Sequence, residues 1–263
     1  MLQLKIGIHL ASLGGSFRKA LSFASQLGIQ GAILSARGDL RPDLVSQTGI
    51  RAIRKLLDDA RLSVVAVEFV TQHGYATLEN LERRVDMTKK AMDLAFAFRT
   101  PMVLNHIGQI PADESAEEWS TLVQVLSDLG VYSQRAGAWL TANAASNSPD
   151  EFARLWDALP ESALLIDLDP ALAVINGYPP LDYVERFGNQ IAHVHARDAS
   201  RDARSFRGIE TTLGRGEVDF PALLGALEEV GYRGYLSLER GMTDDPAFEI
   251  ERGAKYLKEL VMS

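Results

Sequence analysis

Short apolar runs alternate with longer amphipathic stretches along the whole chain, and this alternation constrains the fold more than any single residue does. The runs Lys5–Leu10, Gln30–Leu34, Leu62–Phe69, Met102–Asn105, Ala138–Ala142, Ala163–Leu168, Ile191–Val194 and Tyr235–Leu238 read as strands. Helices are expected over Ser16–Leu27, Asp43–Ala60, Leu78–Phe98, Glu114–Ala136, Leu181–Phe187, Phe220–Val230 and Pro246–Leu260. Another starts at Ser148-Pro149-Asp150-Glu151, which offers a capping Ser, a Pro at the first helical position and acidic residues in the first turn. Strict alternation implies a parallel sheet, and eight such units close a barrel. The fold class expected is therefore α/β, a single (β/α)8 barrel over residues 1–263. An open, doubly wound sheet is the competing architecture, but no Gly-rich nucleotide loop follows the first strand, and Gly14-Gly15-Ser16 only imitates one.

The net charge of −8 argues against nucleic acid and anionic membranes as partners, since both need a basic surface. No apolar run approaches the roughly 20 residues of a membrane helix. There is no Cys, hence no disulfide and no thiolate chemistry. With no leader visible before the first strand, a cytoplasmic location is expected. A small molecule is the expected partner, a homo-oligomer is a candidate, and the oligomeric state stays open. The irregular stretch from Asp198 to Asp219 leaves the C-terminal end of a strand, where barrel active sites lie.

The strand ends are where the titratable groups gather. Asn143, Asp169, His195 and Glu239 end four strands, and a closed barrel brings such ends to one mouth. Two carboxylates and an imidazole form an oxygen- and nitrogen-rich set that suits a divalent metal: Mn, Mg, Co or Zn. The plain alternative for each is a polar residue facing solvent or capping a helix. His193 lies two residues from His195 on the same strand face, where it can hold another ligand by a hydrogen bond or simply sit in the core. His9 and His106 end strands of the same mouth and can touch a substrate or be solvated loop residues. Glu68 can bind substrate or bond to a neighbouring strand. Arg201 can hold a hydroxyl or carboxylate, or be one more surface Arg.

Three stretches resemble a known family. Ile191-Ala192-His193-Val194-His195-Ala196-Arg197-Asp198 is similar to its His-Val-His-Leu-Lys-Asp strand. Leu213-Gly214-Arg215-Gly216-Glu217-Val218-Asp219-Phe220 is similar to its Leu-Gly-x-Gly-x-Val-Asp-Phe loop, and Gly231–Glu239 to its final Gly-Tyr-x-Gly-Tyr-x-x-x-Glu strand. The family is that of xylose isomerase-like TIM barrels, in its ketose 3-epimerase, hydroxypyruvate isomerase and inosose dehydratase branches. The resemblance implies a sugar isomerase or epimerase that moves a proton next to the carbonyl of a ketose or hydroxy-ketone. It implies a divalent metal held by Asp169, His195 and Glu239, with Glu239 also the base, and it matches Arg201 to a substrate-binding Arg.

Two departures stand out. The family's first Glu falls on Asn143, and the His of its Asp-x-x-His pattern falls on Leu172. An amide can ligate through its oxygen but cannot act as a base. A second reading follows: a degenerate barrel that binds a sugar or other metabolite without turnover and has lost its metal. A DNA-repair endonuclease of the same barrel type uses a multi-zinc cluster with many His ligands, which five His and an acidic surface disfavour.

Overall fold

The computed structural model describes residues 5–161, 163–202, 207–241 and 243–262. Its strands are β1 (Lys5–His9), β2 (Gly31–Ser35), β3 (Ser63–Glu68), β4 (Met102–Asn105), β5 (Trp139–Asn143), β6 (Leu165–Leu168), β7 (Ile191–Ala196), β8 (Asp198–Asp202), β9 (Arg207–Thr211) and β10 (Tyr235–Leu238). The helices are α1 (Phe17–Gln26), α2 (Gln47–Asp59), α3 (Leu81–Ala97), α4 (Glu117–Ala136), α5 (Pro149–Ala158), α6 (Pro170–Asn176), α7 (Pro180–Phe187), α8 (Phe220–Glu229) and α9 (Pro246–Met262). Eight strands form a closed ring in the order β1-β10-β7-β6-β5-β4-β3-β2. Every neighbouring pair is parallel, and β1 pairs with β2 to complete the ring. The molecule is thus a (β/α)8 barrel, and the open sheet is excluded.

Local chemistry sets most helix starts. Ser148 and Glu151 form a reciprocal capping box: Ser148 Oγ accepts from Glu151 N at 3.2 Å, and Glu151 Oε2 accepts from Ser148 N at 2.8 Å. The second helix starts four residues later than expected, at Gln47, because Ser46 Oγ accepts from Gly49 N at 3.1 Å while Asp43 is taken by Arg41. No helix among the described residues is long and apolar enough to cross a membrane.

Two elements differ from expectation. The turn after β6 is itself a helix, α6, started by Asp169 and Pro170 in the same cap-then-Pro pattern as Ser148-Pro149. The stretch expected to be irregular after β7 holds the antiparallel hairpin β8–β9. Its root is Asp198, a buried carboxylate that accepts from four backbone N–H groups: Ala199 (2.9 Å), Gly214 (2.9 Å), Gly216 (2.8 Å) and Val218 (3.1 Å). Gly216 is required there, since a Cβ on it would stand 2.2 Å from Asp198 Oδ1.

Candidate active site

Asp167, in the middle of β6, is the hub of the site. A charge inside a buried strand needs partners, and the register supplies them: Asp167 stands opposite His193 on β7, and β7 in turn lies against β10. Asp167 Oδ1 meets His193 Nδ1 at 2.7 Å, and its Oδ2 meets His195 Nε2 at 2.9 Å. His193 Nε2 reaches Ser237 Oγ on β10 at 2.8 Å. The far nitrogen of His195, Nδ1, comes within 2.9 Å of Glu239 Oε2, just past the end of β10. A continuous chain of side chains therefore runs Ser237–His193–Asp167–His195–Glu239.

The electrostatics follow from burial and pairing. His193 is fully buried and is held below the ordinary imidazole value chiefly by that burial, which outweighs Asp167. In its neutral form it donates one N–H to Asp167 and accepts from the Ser237 hydroxyl. Burial also pulls His195 down, but Asp167 and Glu239 together outweigh it and hold it well above that value. Glu239 is raised by burial, yet His195, His9 and Arg197 bring it below the ordinary carboxylate range. A carboxylate held so low is ionised but a weak base. It gains basicity once His195 is neutral.

Glu68, Asn105, His106, Asn143, Asp169, Leu172, His195, Arg197 and Glu239 line one cavity of about 170 Å³ at the C-terminal mouth of the barrel. Asn143, Asp169, His195 and Glu239 are thus brought together. Asp169 Oδ1 caps α6 by accepting from Leu172 N at 3.0 Å, and its Oδ2 accepts from Arg197 Nη1 at 2.6 Å. Asn143 Oδ1 accepts from Ala145 N at 3.1 Å. His106 lines the wall, with Nδ1 3.5 Å from Ser146 Oγ. Glu68 lines the opposite side, and His9 stands behind it with Nε2 3.1 Å from Glu68 Oε2. His193 lies beneath the cavity rather than on its wall. Arg201 lies outside it, its guanidinium packed over Gly177 at the end of α6.

The Arg in the cavity is Arg197. Its Nε also meets Glu210 of β9 at 3.3 Å, and Glu210 meets Arg240 at the same distance. Sequence reasoning passed over both Asp167 and Arg197. For Asp167 a signal existed: one charge inside Leu164-Leu165-Ile166-Asp167-Leu168, in phase with Asp169. For Arg197 it was faint: four Arg lie close together between 197 and 207, and only its place on the Lys of the family's His-Val-His-Leu-Lys-Asp strand set it apart.

Asp167, His193 and His195 present donor atoms within 4.8 Å of one another. Their mutual hydrogen bonds already use those atoms, so an ion fits better at the cavity end. There, His195 Nδ1 is buried without a hydrogen-bond partner, because its approach to Glu239 lacks hydrogen-bond geometry. A His whose other nitrogen is held by a carboxylate, with its free nitrogen beside a second carboxylate, is the arrangement of a metal-ligating imidazole. Asp169 and the Asn143 amide line the same cavity and add oxygen donors at this end, though these oxygens also accept from Leu172 N, Arg197 Nη1 and Ala145 N. The Arg197 guanidinium on Asp169 opposes an ion there.

Comparison with known proteins agrees with this architecture. The model of the xylose isomerase-like TIM barrel family matches residues 21–260. The inosose dehydratase of Clostridium perfringens is 28% identical over 163 residues, 54% of this chain and 55% of that protein. The chain therefore spans about half the length of the curated dehydratases it matches. A probable endonuclease 4 of Mycobacterium leprae is 28% identical over 173 residues, 62% of this chain and 68% of that protein. The crystal structure of a xylose isomerase domain protein from Planctomyces limnophilus superposes with a TM-score of 0.85 at 23% identity, covering 98% of this chain and 96% of that one. With a closed eight-stranded parallel ring and a family model spanning nearly all of it, this chain belongs to the xylose isomerase-like TIM barrel family.

Proposed function

We propose that the barrel removes the proton next to the carbonyl of a polyhydroxy ketone, an inosose or ketose, with Glu239 as the base. The observation that carries this reading is the Asp167–His195–Glu239 chain, which delivers one oriented carboxylate to a small polar cavity. Dehydration is favoured over epimerisation. Epimerisation by the family's pair needs a second carboxylate on β5, and Asn143 supplies an amide. The sequence likeness to inosose dehydratases points the same way.

His195, Glu239, Asp169 and Asn143 would hold a divalent metal. Such an ion, when bound, polarises a carbonyl and makes the adjacent proton more acidic. The chain's own residues do the rest. Asp167 fixes the His195 ring, His195 orients Glu239, and Arg197 and His106 face the substrate's oxygens.

The test is incubation in D₂O with Mn²⁺ and an inosose, with deuterium uptake next to the carbonyl followed by NMR and product followed by absorbance. Glu239→Gln is expected to lose both by about 10²-fold or more, the usual contribution of a placed base. If neither an inosose nor any ketose takes up deuterium, or if the Gln variant matches the parent, the reading is wrong. Asn143 and the ion pair of Arg197 with Asp169 favour a second reading, a binding protein without turnover. One equivalent of tightly held metal after purification without chelator would count against it.

A further inference from the structure

Dehydration needs a second proton, delivered to the departing hydroxyl, and Asn143 cannot supply it. The ring order shows where another carrier stands. Counting from β10, β5 is the third strand in one direction through β7 and β6, and β3 is the third in the other through β1 and β2. Glu68 closes β3 and lines the same cavity as Glu239. The carboxylate missing from β5 thus has a counterpart at the same spacing round the ring.

The two carboxylates are built alike. Each side chain is 19% exposed, and each approaches a buried imidazole through Oε2: His195 at 2.9 Å from Glu239, His9 at 3.1 Å from Glu68. In both, the facing ring nitrogen is buried and has no hydrogen-bond partner. The two pairs are also linked. The register of β1 on β10 puts His9 one step past Ile8↔Leu238, beside Glu239. Ser12 Oγ lies 3.5 Å from His9 Nδ1 and accepts from Arg240 N, next to Glu239, at 3.4 Å.

Resting on the function proposed above, we propose that Glu68, backed by His9, is the second catalytic proton carrier of this site. In the step, Glu239 takes the proton from the carbon next to the carbonyl. The C–H electron pair forms an enolate, and the enolate expels the hydroxyl on the following carbon as its C–O bond breaks. A proton carried by the Glu68–His9 ion pair goes to that oxygen, and water leaves. The product is an enol that tautomerises to a diketone, and solvent returns the proton from Glu239 to the pair. The pair is placed to carry a proton, with His9 Nε2 3.1 Å from Glu68 Oε2 and Glu68 on the cavity wall. Glu68, raised by burial, is brought below its ordinary value by His9.

The assignment predicts that the two proton transfers separate. With an inosose, D₂O and Mn²⁺, Glu68→Gln should lose water release by about 10²-fold or more. Its deuterium uptake next to the carbonyl should stay within about threefold of the parent, and Glu68→Asp should restore part of the loss. Separately from any substrate, NMR titration should show the His9 imidazole losing its proton at lower pH in Glu68→Gln than in the parent. Equal water release in parent and Gln variant, loss of both reactions together in a variant that melts like the parent, or an unmoved His9 titration would each overturn the role of Glu68. A parent that takes up no deuterium overturns the function itself and this role with it.

Discussion

Replacing Asp198 by Asn should unfasten the loop that carries the Leu213–Phe220 motif. Asp198 is 1% exposed, and each of its oxygens accepts from two backbone N–H groups. Asn keeps one carbonyl oxygen and turns the other acceptor into a donor. Two of the four N–H groups, either those of Gly214 and Gly216 or those of Ala199 and Val218, then face an NH₂. A buried donor left without an acceptor costs about 1–3 kcal/mol, and the two remaining bonds lose the charge that strengthened them. The loss should therefore be about 3–5 kcal/mol, a large share of the roughly 5–15 kcal/mol by which domains are stable. Equilibrium urea unfolding measures it as a fall in midpoint at constant slope. Hydrogen exchange should quicken at the amides of Gly214, Gly216 and Val218. A loss below about 1 kcal/mol, with exchange at those amides unchanged, would refute the claim that this carboxylate holds the loop.

Two further outcomes follow from the charges of the cavity. Arg197→Met should tighten Mn²⁺ binding by about tenfold or more, because it removes a cation 2.6 Å from Asp169 and leaves that carboxylate unpaired; isothermal titration showing equal or weaker affinity would contradict this. His195 and His9 are both held above 6.5 in the folded chain, so the stability they contribute is full below pH 6.5 and lost as pH rises through their folded values. His193 is held below 6.5, so its opposite contribution is lost as pH falls. Without metal, the melting temperature should fall as pH is raised above 6.5, and saturating Mn²⁺ should flatten or reverse that slope, because His195 must lose a proton to ligate. A metal-free profile that is flat or rising there would show that these pairs do not carry the charge assigned to them.

Much of this molecule follows from short-range chemistry. Apolar period and capping residues are local, so the eight barrel strands, the Ser148 cap and the gathering of Asn143, Asp169, His195 and Glu239 at one mouth could be read along the chain. What faces what could not. Asp167 becomes the hub only because a register shift in the β6–β7 ladder sets it opposite His193, and Glu68 becomes the counterpart of Glu239 only because the ring closes through β1 and β2. Arg197, in the one-residue step between β7 and β8, enters the cavity, while Arg201, four residues on within β8, packs over Gly177, a difference that the start of the β8–β9 hairpin sets. A residue's type and phase are properties of its own segment. Its partner atom is set by contacts between segments dozens of residues apart, and only the closed barrel decides those.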